Sequence, residues 1–173
     1  AHCYTCLGFV AKTGGSLTFR TLGPLRDELD ESRKLAGSVV ASHYLKKHLV
    51  AHGFDPARIH VAPLFSAPPP AVLVPRDEKR IVFVGQLVRG KGVDVLLQAM
   101  KILPEYARLT VVGTGSQELE LHALADKLGL STRVLFVGEK RGLDRDRLVA
   151  SAAALALPSR SPETFGLAGL EAF

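Results

Sequence analysis

The spacing of apolar positions becomes regular from residue 79 onward. Arg80-Ile81-Val82-Phe83-Val84-Gly85 is apolar without a break between its ends. A strand wet on one face alternates with period two, whereas one covered on both faces of a parallel sheet reads as continuous branched residues. Leu109–Gly113, Val134–Gly138 and the small-residue run Ala154–Pro158 are the second, third and fourth such strands. Helical spacing separates them. Val93 to Leu103 places Val93, Leu96, Leu97, Met100 and Leu103 on one stripe. Gln117 to Leu128 carries Leu119, Leu121, Leu124, Ala125 and Leu128 and ends at Gly129, and Asp144 to Ala152 is a short third helix. Three and a half β/α repeats with right-handed crossovers predict an α/β fold, a doubly wound, Rossmann-like parallel sheet.

The first part of the chain is less regular. Residues 1–20 read as loop with one short strand. Leu22 to Lys34 is helical, with Pro24 suited to a first turn. Gly37–Ser42 is a short strand, His43 to Gly53 an amphipathic helix closed by glycine, and Arg58–Pro63 the next strand, together a βαβ unit. Prolines at 68, 69, 70 and 75 make a stiff linker. The expected division is therefore 1–67, the end of one α/β domain; 68–78, the linker; and 79–173, a second domain. The start at Ala1 and the stop at Phe173, within a helix, are read as marking a fragment of a longer chain.

Charge narrows the function classes. Residues 1–78 hold nine Lys/Arg and seven Asp/Glu, and 79–173 hold thirteen and ten, so the net +5 is mild and evenly spread. A nucleic-acid binder concentrates its positive charge in a patch, and none is present in the sequence. The excess suits an anionic small molecule or an anionic membrane surface. Cys3 and Cys6 supply two of the four ligands zinc requires, with His2 beside them and no second pair, and read as structural. His43, His48, His52 and His60 read as surface or packing residues.

In a doubly wound sheet ligands gather at the carboxyl ends of the strands. Here those ends carry Gly85–Gly92, Gly113–Ser116, Gly138–Arg141 and Pro158–Glu163. In the first loop, Gly85, Gly90 and Gly92 allow close approach of a ligand, and Lys91 sets a positive charge at a helix start, where a diphosphate would sit. The glycine spacing is not that of a P-loop. In the second loop, Gly113-Thr114-Gly115-Ser116 forms a backbone wall, and Glu118 occupies the place of a dinucleotide fingerprint's third glycine, which argues against an oxidoreductase. Lys140, Arg141, Asp144, Arg145, Asp146 and Arg147 read as a solvated loop and helix face, with room for a base against 138–143. Arg133 reads as a charged strand start.

The last thirteen residues hold two carboxylates, Glu163 and Glu171, eight positions apart. On a helix starting just after Pro162, eight steps leave them about 80° apart in azimuth and ~12 Å along the axis, on one side. Gly166 and Gly169 keep that side low, and the free N–H groups of the first turn suit a phosphate. Carboxylates accept paired hydrogen bonds from diols, so a polyhydroxylated ligand with a diphosphate in its middle fits. The plain reading is an acid complementing a helix dipole and a second acid in solvent.

Four signatures occur in order: Phe83-Val84-Gly85-Gln86-Leu87 through Lys91-Gly92-Val93-Asp94; Leu109-Thr110-Val111-Val112-Gly113-Thr114-Gly115; Arg133-Val134-Leu135-Phe136-Val137-Gly138; and Pro158-Ser159 through Glu163-Thr164-Phe165-Gly166-Leu167 to Leu170-Glu171-Ala172. With these, residues 79–173 resemble the donor-nucleotide half of the GT-B-fold glycosyltransferases of family 4, the retaining, nucleotide-sugar-dependent group. Residues 37–66 loosely resemble the last βαβ of the acceptor half. The resemblance implies that a sugar passes from a nucleotide-diphospho-sugar to an unidentified acceptor hydroxyl with retention of configuration. It implies Glu163 and Lys91 as the catalytic pair, Glu163 on sugar hydroxyls and Lys91 on the diphosphate. It implies Glu171 on the ribose, and Gly85, Gln86, Arg89, Gly113, Gly115, Thr164, Phe165, Gly166 and Leu167 as further donor contacts. Gln86 stands where the family often has an arginine, and Arg89 is nearby. No metal and no cofactor beyond the donor is implied. The acceptor class stays open among carbohydrate, lipid-linked and small-molecule hydroxyls. The expected location is cytoplasmic, with peripheral contact at the inner face of the membrane open. The alternative is a nucleotide-sugar-binding module without transfer.

Overall fold

The structure, a computed structural model, describes the backbone of residues 10–13 and 16–19, and residues 23–64, 74–160, 166, 168 and 169. The chain divides into two compact units, Ala1–Pro63 and Leu64–Phe173. The division falls four residues before the expected end of the first domain. Cys3, Cys6 and the prolines at 68, 69 and 70 lie outside the described residues. Among the described residues no helix is long and apolar enough to cross a membrane.

In the first unit, β1 (Val10–Thr13) and β2 (Ser16–Phe19) pair antiparallel, so the segment read as loop with one strand holds a hairpin. Helix α1 (Gly23–Arg33) precedes β3 (Ser38–Val40), α2 (His43–Ala51) and β4 (Ile59–Val61). β3 and β4 run parallel, as the βαβ reading requires. Ser42 caps α2, its hydroxyl accepting from Leu45 N–H at 3.2 Å. Arg33 closes the far end, its guanidinium donating twice to the His52 carbonyl.

The second unit is a four-stranded sheet of β5 (Asp77–Val84), β6 (Arg108–Val112), β7 (Val134–Phe136) and β8 (Ala152–Leu155). Helices α3 (Val93–Ile102), α4 (Glu118–Lys127) and α5 (Gly142–Ala150) connect them. The order is β7-β6-β5-β8 and every pairing is parallel. Adjacent side chains of a strand point to opposite faces. Phe83 and Val111 therefore join the core under α3 and α4, with Leu97, Met100, Leu109 and Leu121. Val82 and Val112 join the core on the other face, with Ala152 and α5's Leu148 and Val149. The unbroken apolar runs thus face helices on both sides.

Three expected boundaries move. β5 begins at Asp77, inside the expected linker, because Asp77 N–H donates to the Ser151 carbonyl at 2.8 Å and pairs with β8. α5 begins at Gly142, whose φ of +53° makes the turn into the helix. β8 ends at Leu155, and 156–160 continue as loop. Leu119, expected on the apolar stripe of α4, is 85% exposed. It stands two residues from buried Leu121, about 200° round the helix. Arg133 is more than a charged strand start. It donates to the carbonyls of Ala107, Leu103 and Pro104 at 3.1, 3.3 and 2.8 Å, tying down the chain that leaves α3.

Candidate functional site

The strand order makes β5 the pivot. The chain proceeds from β5 to β6 and β7 on one side, then returns to lay β8 on the other. Such a reversal opens a crevice between the carboxyl ends of the two strands that flank it, here β5 and β8. The loop 85–92 leaves β5 between this switch point and the ends of β6 and β7.

Towards β6 and β7 lies a cleft of about 470 Å³. Its walls are Val84, Gly85 and Gln86 from β5, Val112, Gly113 and Thr114 from β6, and Glu139 to Gly142 with Arg145 from the start of α5. Gln86 is exposed, as are Lys140 and Arg141. Arg141 pairs with Glu139 at 2.7 Å, and Arg145 donates to Asp146 Oδ1 at 3.0 and 2.8 Å. Lys140, Arg141 and Arg145 stand against the two carboxylates of Glu139 and Asp146, so the rim keeps a net excess of one positive charge. Arg145 was expected on a solvated face. It lines the cleft because it sits in the first turn of a helix that starts at the sheet's carboxyl edge. Its signal in the sequence was a cation within eight residues of a strand-end glycine, Gly138.

Towards β8, the loop forms a 3-10 turn, Arg89–Lys91, followed by Gly92 with φ +68° and then α3. Arg89 is exposed and Lys91 half-buried, immediately before the positive end of the α3 dipole. The exit from β8 packs against this turn. Arg160 N–H donates to the Gly90 carbonyl at 2.9 Å, and Arg160 Nη2 pairs with Asp94 Oδ2 at 2.6 Å.

Three of the glycines have close backbone neighbours of their own. A Cβ on Gly92 would lie 2.1 Å from the Pro158 carbonyl oxygen, one on Gly113 1.9 Å from that of Gly85, and one on Gly115 2.4 Å from that of Leu87. These contacts are backbone on backbone. They lock the loops after β5, β6 and β8 together, with Leu87 fully buried between them and bonded to Thr114 and Gln117.

Of the expected site residues, the structure therefore brings Gly85, Gln86 and Gly113 to the cleft. It puts Arg89 and Lys91 on the turn facing β8, and Gly115 under Leu87. Gly166 has φ +77° and accepts from Gly169 N–H at 2.9 Å. Glu163, Thr164, Phe165, Leu167 and Glu171 lie outside the described residues.

Comparison with known proteins adds to this geometry. Residues 69–173 match the family described as glycosyl transferases group 1. The D-inositol 3-phosphate glycosyltransferase of Mycobacterium tuberculosis (strain ATCC 25177 / H37Ra) is 33% identical over 168 residues, which covers 88% of this chain and 34% of that protein. An uncharacterized glycosyltransferase of Methanocaldococcus jannaschii is 40% identical over 98 residues, covering 56% of this chain and 25% of that protein. The chain thus spans about a quarter to a third of these curated relatives. Among solved structures, Anabaena HepE in complex with UDP and glucose superposes with a TM-score of 0.72 at 19% identity, over 88% of this chain and 46% of that one. Sucrose-phosphate synthase from Thermosynechococcus elongatus superposes with a TM-score of 0.71 at 26% identity, over 88% of this chain and 42% of that one.

Proposed function

The chain belongs to the group 1 glycosyl transferases, and from that premise we propose that residues 64–173 form the donor half of a retaining, family 4 enzyme. Its full-length protein moves a hexosyl group from a nucleotide-diphospho-sugar to an acceptor hydroxyl. The observation that carries this reading is the placement of loop 85–92. One end walls a cation-rimmed cleft of about 470 Å³, and the other, with Lys91, packs against the β8 exit that leads to Glu163. A nucleotide in the cleft would put its diphosphate along this loop and its sugar towards the β8 exit, from which the chain continues in sequence to Glu163. The UDP bound to Anabaena HepE supports a uridine nucleotide as the first donor to test.

The roles follow from charge. As the bond from the anomeric carbon to the diphosphate breaks, negative charge gathers on the leaving oxygen. Lys91 and the start of α3 stabilise that charge without a metal ion. Glu163 orients the sugar through its hydroxyls, Glu171 holds the ribose, and the backbone from Thr164 to Leu167 assists at the phosphates. The acceptor hydroxyl oxygen bonds to the anomeric carbon on the face the diphosphate leaves and passes its proton to the departing phosphate oxygen, which retains configuration.

The test is made in the full-length protein with a panel of nucleotide sugars, reading release of nucleoside diphosphate. Glu163→Gln is expected to lower kcat by about 10²- to 10³-fold, the scale of losing one preorganised transition-state contact. Lys91→Ala is expected to weaken donor binding by roughly 10- to 100-fold, the loss of a charge-assisted phosphate contact. Wild-type turnover and affinity in both variants would remove the assignment. Donor binding without any diphosphate release marks a binding module instead.

A further inference from the structure

We infer that Arg160 is a positioning residue: through Asp94 it clamps the exit of β8 onto the turn that bears Lys91, and so sets the distance between the diphosphate and sugar ends of the donor site. Among the described residues, three ties on these segments bear on this. Two are backbone features, the Arg160 N–H to the Gly90 carbonyl at 2.9 Å and the approach of Gly92 to the Pro158 carbonyl. The third is made by side chains, Arg160 Nη2 to Asp94 Oδ2 at 2.6 Å across 66 residues of sequence. Asp94 lies in the first turn of α3, three residues after Lys91, and its side chain is 23% exposed. Its other oxygen, Oδ1, is buried and has no hydrogen-bond partner among the described residues. Without Arg160, Asp94 Oδ2 would lose this guanidinium contact.

The pair is half-exposed, and ion pairs of that kind add little to global stability. Its geometric effect is larger. Residues 161–173 follow Arg160 directly in the sequence, while Asp94 stands three residues after Lys91, in the first turn of α3. A site that must hold both ends of one ligand loses rate steeply when its halves shift by about 1 Å. The effect on turnover rests on the donor-site reading above; the clamp itself does not.

The test uses the full-length protein with Arg160→Ala, Arg160→Lys, Asp94→Ala and the double variant Asp94→Ala/Arg160→Ala. Arg160→Ala is expected to lower kcat by about 30- to 100-fold while the Kd of UDP stays within about threefold, because misalignment acts on the transition state more than on nucleotide binding. Arg160→Lys restores part of the loss. The double variant turns over within about threefold of Arg160→Ala, the non-additivity of two residues acting as one contact. Melting temperatures stay within about 2 °C of wild type. Hydrogen exchange reads the clamp independently of activity, and both single alanine variants speed exchange at 89–92 and 159–160 while leaving β7 unchanged. Unaltered exchange at 89–92 and 159–160, or strictly additive losses, overturns the proposal. If the wild-type protein releases no diphosphate from any nucleotide sugar, the transferase reading fails and exchange alone decides the clamp.

Discussion

At Gly113 the backbone has φ +136°, and a side chain would drive a Cβ to 1.9 Å from the Gly85 carbonyl oxygen. Two penalties coincide there, a conformation that L-residues avoid and a collision with backbone that has no rotamer to change. Gly113→Ala is expected to cost over about 3 kcal/mol, beyond the ordinary range of point mutants. Gly138 separates the two penalties. It too has positive φ, +68°, but a Cβ there meets nothing within 4 Å. Gly138→Ala is expected to cost only about 1–2 kcal/mol, the left-handed penalty alone. Chemical denaturation of both variants checks the contrast, and equal losses contradict it. The glycines were legible in the sequence as marks of a strand-end site. What they approach was not, because a neighbouring loop and a ligand exclude a Cβ equally well.

The elements follow the periodicity where burial is one-sided or complete. In α4, Leu121 and Ala125 are buried at spacing four, with Leu124 and Leu128 packed beside them. Leu119 counted as apolar in the sequence but points to solvent. Leu121→Ala is accordingly expected to cost about 2–5 kcal/mol, whereas Leu119→Gln stays within about 0.5 kcal/mol, both read from urea midpoints at unchanged m. The pattern is silent where an element is defined by pairing. Asp77, Glu78 and Lys79 carry no apolar signal, yet they are strand, because the Ser151 carbonyl and β8 take up Asp77. Arg133 is silent for the same reason: its three carbonyl acceptors lie 26 to 30 residues away in sequence.

On the scale of the whole molecule, the strand order brings strand-end loops separated by up to about seventy residues in sequence to one edge of the sheet. A ligand bound only by the folded state adds about 2.7 kcal/mol at a hundred times its Kd. UDP at that excess is expected to raise the melting temperature of the full-length protein and to slow hydrogen exchange at 85–92, 113–116 and 138–142. Unchanged exchange in these loops would remove the cleft as the nucleotide site. The residue pattern by itself determined the fold class, the alternation of strands and helices, and the strand-end loops that carry Gly85, Lys91 and Gly113. These are local matters, set by periodicity and by where glycine interrupts it. Only the tertiary structure decided that β8 returns beside β5, that Arg145 faces the cleft, and that Arg160 meets Asp94. Each depends on groups far apart along the chain, whose meeting is governed by strand pairing and core packing rather than by any spacing a sequence displays.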